Sequence, residues 1–384
     1  MSRPGLLVLA LAAALGLAPR AAAQDRPAAE RWLDSRYPII RYSGNDGLSL
    51  GLRFLWTQRA PFGAPYYHRG ALTADVAWST VGSGGVGLRF TAPGLARDWR
   101  FDASAAALRQ ARFEYYGLGE GSRYVADSVT DLQKYFYKVR RSWAFVRGEA
   151  SRRLAGRLWL AAMAQYQVAD FEHLPGPSQF KADFGAGRRE TDAIGRLALV
   201  YDARDNDYDT HRGALLDAGW IQGSAGGGYG RWVVDARGWL PFGEWQSTWL
   251  SARVVASASP DDAMPLDARL YLPVWEGQVR VLGGAESARG FLDQRYIGRD
   301  VLFGNLTVQH DLVNAGGFGA AGLLAFADAG RVFEQERFRL TTDGVKLGAG
   351  GGVYLRILRT GVYTFNFAKG PDGFVFTLGN GWMF

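Results

Sequence analysis

The densest charge in this sequence lies in Tyr201-Asp202-Ala203-Arg204-Asp205-Asn206-Asp207-Tyr208-Asp209-Thr210-His211-Arg212-Gly213. Asp205, Asp207 and Asp209 are hard oxygen donors of the kind that calcium takes, but the glycine and closing glutamate of an EF-hand loop are missing. Arg204 and Arg212 stand beside the acids, so the stretch reads as a charge-neutralised turn. His68, His173, His211 and His310 fall at no paired ligand spacing, and with no cysteine there is no thiolate ligand, thiolate nucleophile or disulfide. His310-Asp311 has half of a hydrolytic triad without a Gly-x-Ser-x-Gly elbow. Tyr116-Gly117-Leu118-Gly119-Glu120-Gly121 lacks the Lys-Ser/Thr sequel of a phosphate cradle and reads as a loop. Gly348-Ala349-Gly350-Gly351-Gly352 lies inside a strand pattern, where bare backbone suits close packing of an inserted loop better than a dinucleotide. No catalytic group, metal or cofactor is therefore expected, and the chain is read as a non-enzyme.

What remains is one buried charge pair. Gly283-Gly284-Ala285-Glu286-Ser287-Ala288-Arg289-Gly290-Phe291 can fold sharply at its paired glycines and push one guanidinium into a confined space. Further along, Asp328 sits in the alternating run Leu324-Ala325-Phe326-Ala327-Asp328-Ala329-Gly330. An acid within such a strand is costly unless it meets a cation or a polar interior, so Asp328 is paired with Arg289.

These two motifs resemble the (Val/Ile)-Arg-Gly-(Phe/Tyr) loop and the Phe-x-Asp-x-Gly strand of the bacterial surface antigen family, with Ala288 in place of the usual branched residue. That superfamily includes outer-membrane barrel-assembly proteins and two-partner secretion transporters. The resemblance implies a lid loop of Gly283, Gly284, Arg289, Gly290 and Phe291 held on a barrel wall at Phe326, Asp328 and Gly330. Asp202, Arg204, Asp205, Arg212 and Gly213 likewise resemble the family's Asp-x-Arg-Asp turn, with Thr210 where proline is usual. Counted back from the lid, that turn falls on the periplasmic side.

The elements that would position these groups are strands. Trp99, Phe101, Ala103, Ala105 and Ala107 alternate with Arg100, Asp102 and Ser104, and Trp232, Val234, Ala236 and Leu240 oppose Arg231, Asp235 and Arg237. Tyr363, Phe365 and Phe367 oppose Thr364 and Asn366 in the same way. One apolar and one charged face is what a wall between lipid and a polar lumen requires, since a charge at the bilayer midplane costs ~2–4 kcal/mol. No window approaches the ~18 uncharged apolar residues of a spanning helix, and a mean hydropathy of −0.12 fits strands. The expected fold is all-β, a transmembrane antiparallel barrel of about 16 strands, with hairpins such as Pro38 to Tyr42 turning through Gly44-Asn45-Asp46-Gly47. Phe113 to Leu132 and Asp170 to Arg189 are expected as loops.

Arg3, the apolar core from Leu6 to Leu17, Pro19 and Ala21-Ala22-Ala23 read as a secretory leader over 1–23. Residues 24–36 read as a short periplasmic segment with no room for the polypeptide-transport-associated domains that family relatives carry, and 37–384 as the barrel. Phe376, Trp382 and Phe384 alternate to the last residue and look like the carboxy-terminal signal that outer-membrane assembly machinery reads. Gly379 and Gly381 would weaken the seam between first and last strands. The net charge of +7 is dispersed, which excludes a nucleic-acid stripe and favours anionic lipid at the rim. Expected partners are outer-membrane lipids including lipopolysaccharide, the barrel-assembly machinery during biogenesis, and a periplasmic accessory subunit. By resemblance the function would be membrane insertion or translocation of protein, or of lipid. The alternative is a passive pore or structural barrel without client handling.

Overall fold

The computed structural model describes residues 31–384 apart from 62, 131, 132, 186, 244–246 and 358–360. The leader read over 1–23 lies outside the described residues. The strands are β1 (Trp32–Ser43), β2 (Gly47–Arg59), β3 (His68–Ser79), β4 (Gly84–Ala96), β5 (Trp99–Glu114), β6 (Lys138–Ala155), β7 (Leu158–His173), β8 (Arg188–Asp202) and β9 (Gly213–Gly223). They continue as β10 (Tyr229–Phe242), β11 (Thr248–Ala258), β12 (Tyr271–Val274), β13 (Gly277–Arg280), β14 (Asp300–Asn314), β15 (Gly319–Phe333), β16 (Lys346–Ile357), β17 (Gly361–Gly370) and β18 (Gly373–Asn380). All but β12 and β13 form one 16-stranded sheet whose hydrogen-bonded order follows the chain, each neighbour antiparallel. This is the expected transmembrane antiparallel barrel.

Alternation sorts the side chains as a two-faced wall demands. Along β10, Arg231 and Asp235 are buried on the inner face while Trp232 and Leu240 stand about 60% exposed on the outer one. Along β7, Trp159, Gln165 and Gln167 point inward and Leu158, Leu160 and Tyr166 outward. The outer residues are open to a lipid phase, where their exposure costs nothing. Two-residue turns at 97–98 and 156–157 close one end, the end to which the first and last strands also come, and long connections such as 115–137 and 259–299 cluster at the other.

Three expectations are corrected. The sheet starts at Trp32, so 32–36 belong to β1 and not to a segment ahead of the barrel. The stretch read as a loop from Asp170 begins with the end of β7, and it carries a helix, α1 (Gln179–Phe184), capped by the Ser178 side chain accepting from the Lys181 N–H at 3.1 Å. Third, 259–299 is much more than a lid tip: it includes the β12–β13 hairpin, which the sequence reading did not foresee.

That segment fills the lumen because the wall's inward polar groups capture it. Gln167 Nε2 donates to Asp267 at 2.9 Å and Arg141 Nε at 3.0 Å, while Glu190 accepts the Leu266 and Asp267 N–H groups, both at 2.9 Å. The hairpin turn donates Trp275 N–H to Asp217 at 2.7 Å and Glu276 N–H to Glu149 at 2.8 Å. Asp217 and Glu149 also meet Arg196 and Arg147. Buried charges persist here because each has an opposite charge and further hydrogen bonds.

Candidate functional site

The lid begins where Val281 and Leu282, both buried, leave β13 for Gly283 (φ 136°) and Gly284 (φ 88°), left-handed values that a side chain would strain. The Ser287 hydroxyl ties the loop, accepting from the Gly283 N–H at 2.9 Å and donating to the Val281 carbonyl at 2.9 Å. The next turn delivers Arg289 to the inner wall. Its backbone N–H and Nε donate to Asp328 Oδ2 at 2.8 and 2.9 Å, and Nη2 donates to Asp328 Oδ1 at 2.7 Å and to Thr307 Oγ1 at 2.9 Å. The guanidinium carbon lies 3.7 Å from the Phe326 ring centroid. Arg289 is 4% exposed and Asp328 0%. A fork-shaped cation on a carboxylate, with an aromatic face beneath, is the strong form of a charge-assisted contact.

Glycines let the loop lie on bare strand. A β-carbon at Gly290 would stand 2.9 Å from the Gly348 Cα and 3.2 Å from the Lys369 carbonyl oxygen. Gly348 thus serves the close packing expected of its glycine-rich strand. At Gly330 a β-carbon would come within 2.6 Å of Phe303 Cβ and 2.7 Å of Leu282 Cδ1. Phe291, fully buried, anchors the far side, with its ring 5.9 Å from Tyr296.

Sequence reasoning missed two members of this site. Asn305 Nδ2 bridges the Ser287 carbonyl at 2.7 Å and Asp328 Oδ1 at 3.0 Å, and Thr307 accepts from Arg289 Nη2. Both sit on β14, Asn305 directly opposite Asp328 in register. Their signal was two polar residues at alternate positions on the lumen-facing side of a strand.

The turn from Asp202 to Gly213 closes at the opposite end. Arg204 donates to both Asp202 oxygens at 2.9 and 3.0 Å, and Asp205 N–H bonds the Arg212 carbonyl at 3.0 Å. Asp207 meets Arg100 at 2.5 Å, and Asp209 meets Arg356. Burial pushes the Asp207 carboxyl above its ordinary range against the pull of Arg100 and Arg204. Asp207 and Asp209 turn to different arginines while Asp205 accepts the His211 N–H at 3.1 Å, and among the described residues no cluster could hold a metal.

The chain end differs from expectation. Phe374, Phe376 and Leu378 lie outward, but β18 stops at Asn380, and Gly381 (φ 102°) turns the chain into the lumen. Trp382 and Phe384 therefore do not share the lipid face with Phe376. Trp382 Nε1 donates to Asp209 at 2.9 Å, with its ring 5.0 Å from Tyr354, and Phe384 lies 6.3 Å from Trp239. Trp382→Phe should keep the ring packing and lose about 0.5–1.5 kcal/mol with the hydrogen bond, read as a lower midpoint of heat unfolding by band shift. An unchanged midpoint would count against the Asp209 contact.

The two ends of the sheet order face one internal space. Arg41 of β1, Leu378 and Gly379 of β18, and Arg289 of the lid line a cavity of about 350 Å³.

Comparison with known proteins agrees with this geometry. No curated protein matches the sequence. Among solved structures, a BamA from Haemophilus ducreyi lacking POTRA domains 1–3 is similar at 12% identity and TM-score 0.58, over 92% of this chain and 70% of that one. CdiB from Escherichia coli (14% identity, TM-score 0.54) and CdiB from Acinetobacter baumannii (11%, 0.53) are each matched over 90% of this chain. The chain spans only 60% and 65% of those two. At such identities the likeness establishes the fold alone. The family model of the Omp85 superfamily domain matches residues 40–382, and with the lid, its acid and the sixteen-stranded wall all in place, the chain belongs to the Omp85 superfamily.

Proposed function

We propose that this chain is a bacterial outer-membrane barrel that inserts or translocates protein, and is not a passive pore. The observation that carries the reading is the lumen-filling segment from 259 to 299, pinned by the Arg289–Asp328 pair and by the acids Glu149, Glu190 and Asp217. An open diffusion channel has no use for a buried, ion-paired plug, whereas a barrel that handles a client through its wall needs a stiff interior. BamA and CdiB are barrels of the same fold, which supports this class of role. In this reading the end that holds both sheet termini faces the periplasm, the leader directs export, and Phe376 with Trp382 and Phe384 is read by the assembly machinery before the tail tucks inside. Lipopolysaccharide contacts the outer rim, and a periplasmic subunit delivers the client.

Planar bilayer recordings test it. The purified barrel is expected to be closed most of the time, with only brief openings. Steady, large, ion-selective conductance from the unaltered protein would overturn the proposal in favour of a pore. In cells, depletion should lower outer-membrane protein content relative to lipid.

A further inference from the structure

The cavity between lid and seam has a lining that the lid's own bonds do not exhaust. Arg41, on the inner face of β1, makes no ion pair among the described residues. Asn366 of β17 is 3% exposed, and its Oδ1 has no hydrogen-bond partner, while its Nδ2 reaches only Thr364 Oγ1 at 3.4 Å. A buried acceptor without a donor is costly, so a group carrying N–H or O–H suits that position. Glu286, on the lid, leans in with its carboxylate more than half exposed, held on one side by Arg280 at 3.2 Å. The lining thus presents one free cation, one unmet acceptor and one partly free anion.

Access is restricted in a way that narrows the ligand. The lid, through Ala285, Glu286 and Arg289, and the inward-turned tail from Gly381 to Phe384 both line the cavity. Arg41 of β1 and Leu378 and Gly379 of β18 line it as well, and Leu378 (57% exposed) and Ile40 (68%), next to Arg41, are outward and apolar. A molecule with a polar head in the cavity and a tail leaving between these strands is an amphiphile. At about 30 Å³ for each water-sized group, the space holds on the order of ten such groups, about the size of a glycerophosphate headgroup.

We propose that this cavity binds the headgroup of an aminophospholipid, with the phosphate on Arg41 and the ammonium on Asn366 Oδ1 and Glu286. Both charges of the headgroup are then met, and its N–H donors satisfy the unpartnered amide oxygen. The lipid acts as a wedge between the first and last strands. This goes beyond the client-handling role, since a pore or an assembly barrel could each hold such a lipid.

Native mass spectrometry of the detergent-solubilised barrel tests it, using phosphatidylethanolamine, phosphatidylcholine and phosphatidylglycerol with identical acyl chains. Choline keeps the phosphate but has no N–H, and phosphatidylglycerol keeps the phosphate but has no cation. The expected result is one bound phosphatidylethanolamine, with each of the other two about tenfold weaker, as loss of a charge-assisted hydrogen bond implies. Arg41→Ala and Asn366→Ala should each bring phosphatidylethanolamine down to the level of phosphatidylcholine. Arg36→Ala, on the outer face of the same strand, should not. Equal retention of all three lipids, or equal loss from the Arg36 and Arg41 variants, would overturn the site in favour of unspecific annular lipid. Tight phosphatidylglycerol binding would overturn the ammonium assignment. Should the variants fail to fold, the headgroup preference of the unaltered barrel still decides, and it is independent of the conductance measurement.

Discussion

Arg289→Ala is expected to abolish most of the folded, heat-resistant barrel. The substitution removes three side-chain donor contacts and leaves Asp328, which has no exposure, with the Arg289 N–H and the Asn305 amide as its remaining partners. Breaking a buried pair by deleting one partner costs ~3–5 kcal/mol because the other charge stays uncompensated. Asp328→Ala should be as damaging, since it strands a guanidinium against the Phe326 ring. The double variant should lose little beyond either single one, a coupling of ~2 kcal/mol or more between groups that share one network. The measurement is the midpoint of heat-induced band shift for the four proteins. Additive losses would mean that the pair does not act as a unit.

The second large effect is steric. Gly348→Leu places a β-carbon 3.1 Å from the Gly290 Cα and 3.2 Å from Phe291 Cε1, and backbone cannot swing aside as a side chain can. Overpacking of this kind costs about 1–3 kcal/mol and sometimes more. The strain falls on the lid, because β16 is held on both sides by its ladders with β15 and β17. Folded barrel should persist with the lid strained at Gly290 but Arg289 still on its acid, so the signature is frequent opening in bilayer recordings with a smaller loss of heat resistance than Arg289→Ala gives. Gly351→Ala is the control, since the nearest atom to its added β-carbon would be the Leu324 carbonyl oxygen at 3.2 Å, away from the lid. Closed recordings from Gly348→Leu would remove Gly348 from the lid's seat.

These two variants also separate what could be read from the chain alone. Arg289 and Asp328 were legible because each broke a local rule: an arginine at the tip of a glycine-rich loop, and an acid on an otherwise apolar strand. The sixteen-stranded wall was legible because period two with lipid on one side leaves a strong record, as in β7 and β10. Asn305 and Thr307 left only a faint one, since a polar residue on a lumen-facing position is unremarkable until its neighbour is known. The β12–β13 hairpin was invisible because each strand has four residues, too few to show a period. Its form comes from Glu149 and Asp217 on distant strands, which accept its turn N–H groups.

By itself, then, the amino-acid sequence determined the wall, its two faces and the charge pair at its centre, because alternation and an uncompensated buried acid are local properties. Tertiary structure alone decided how the lumen is filled and where the chain ends. Trp382 continued the outward alternation of Phe376, yet a left-handed glycine and an indole N–H within reach of Asp209 draw it inside. That choice depends on a partner 173 residues away in the chain, and no local pattern encodes a hydrogen bond between groups that only the closed fold brings together.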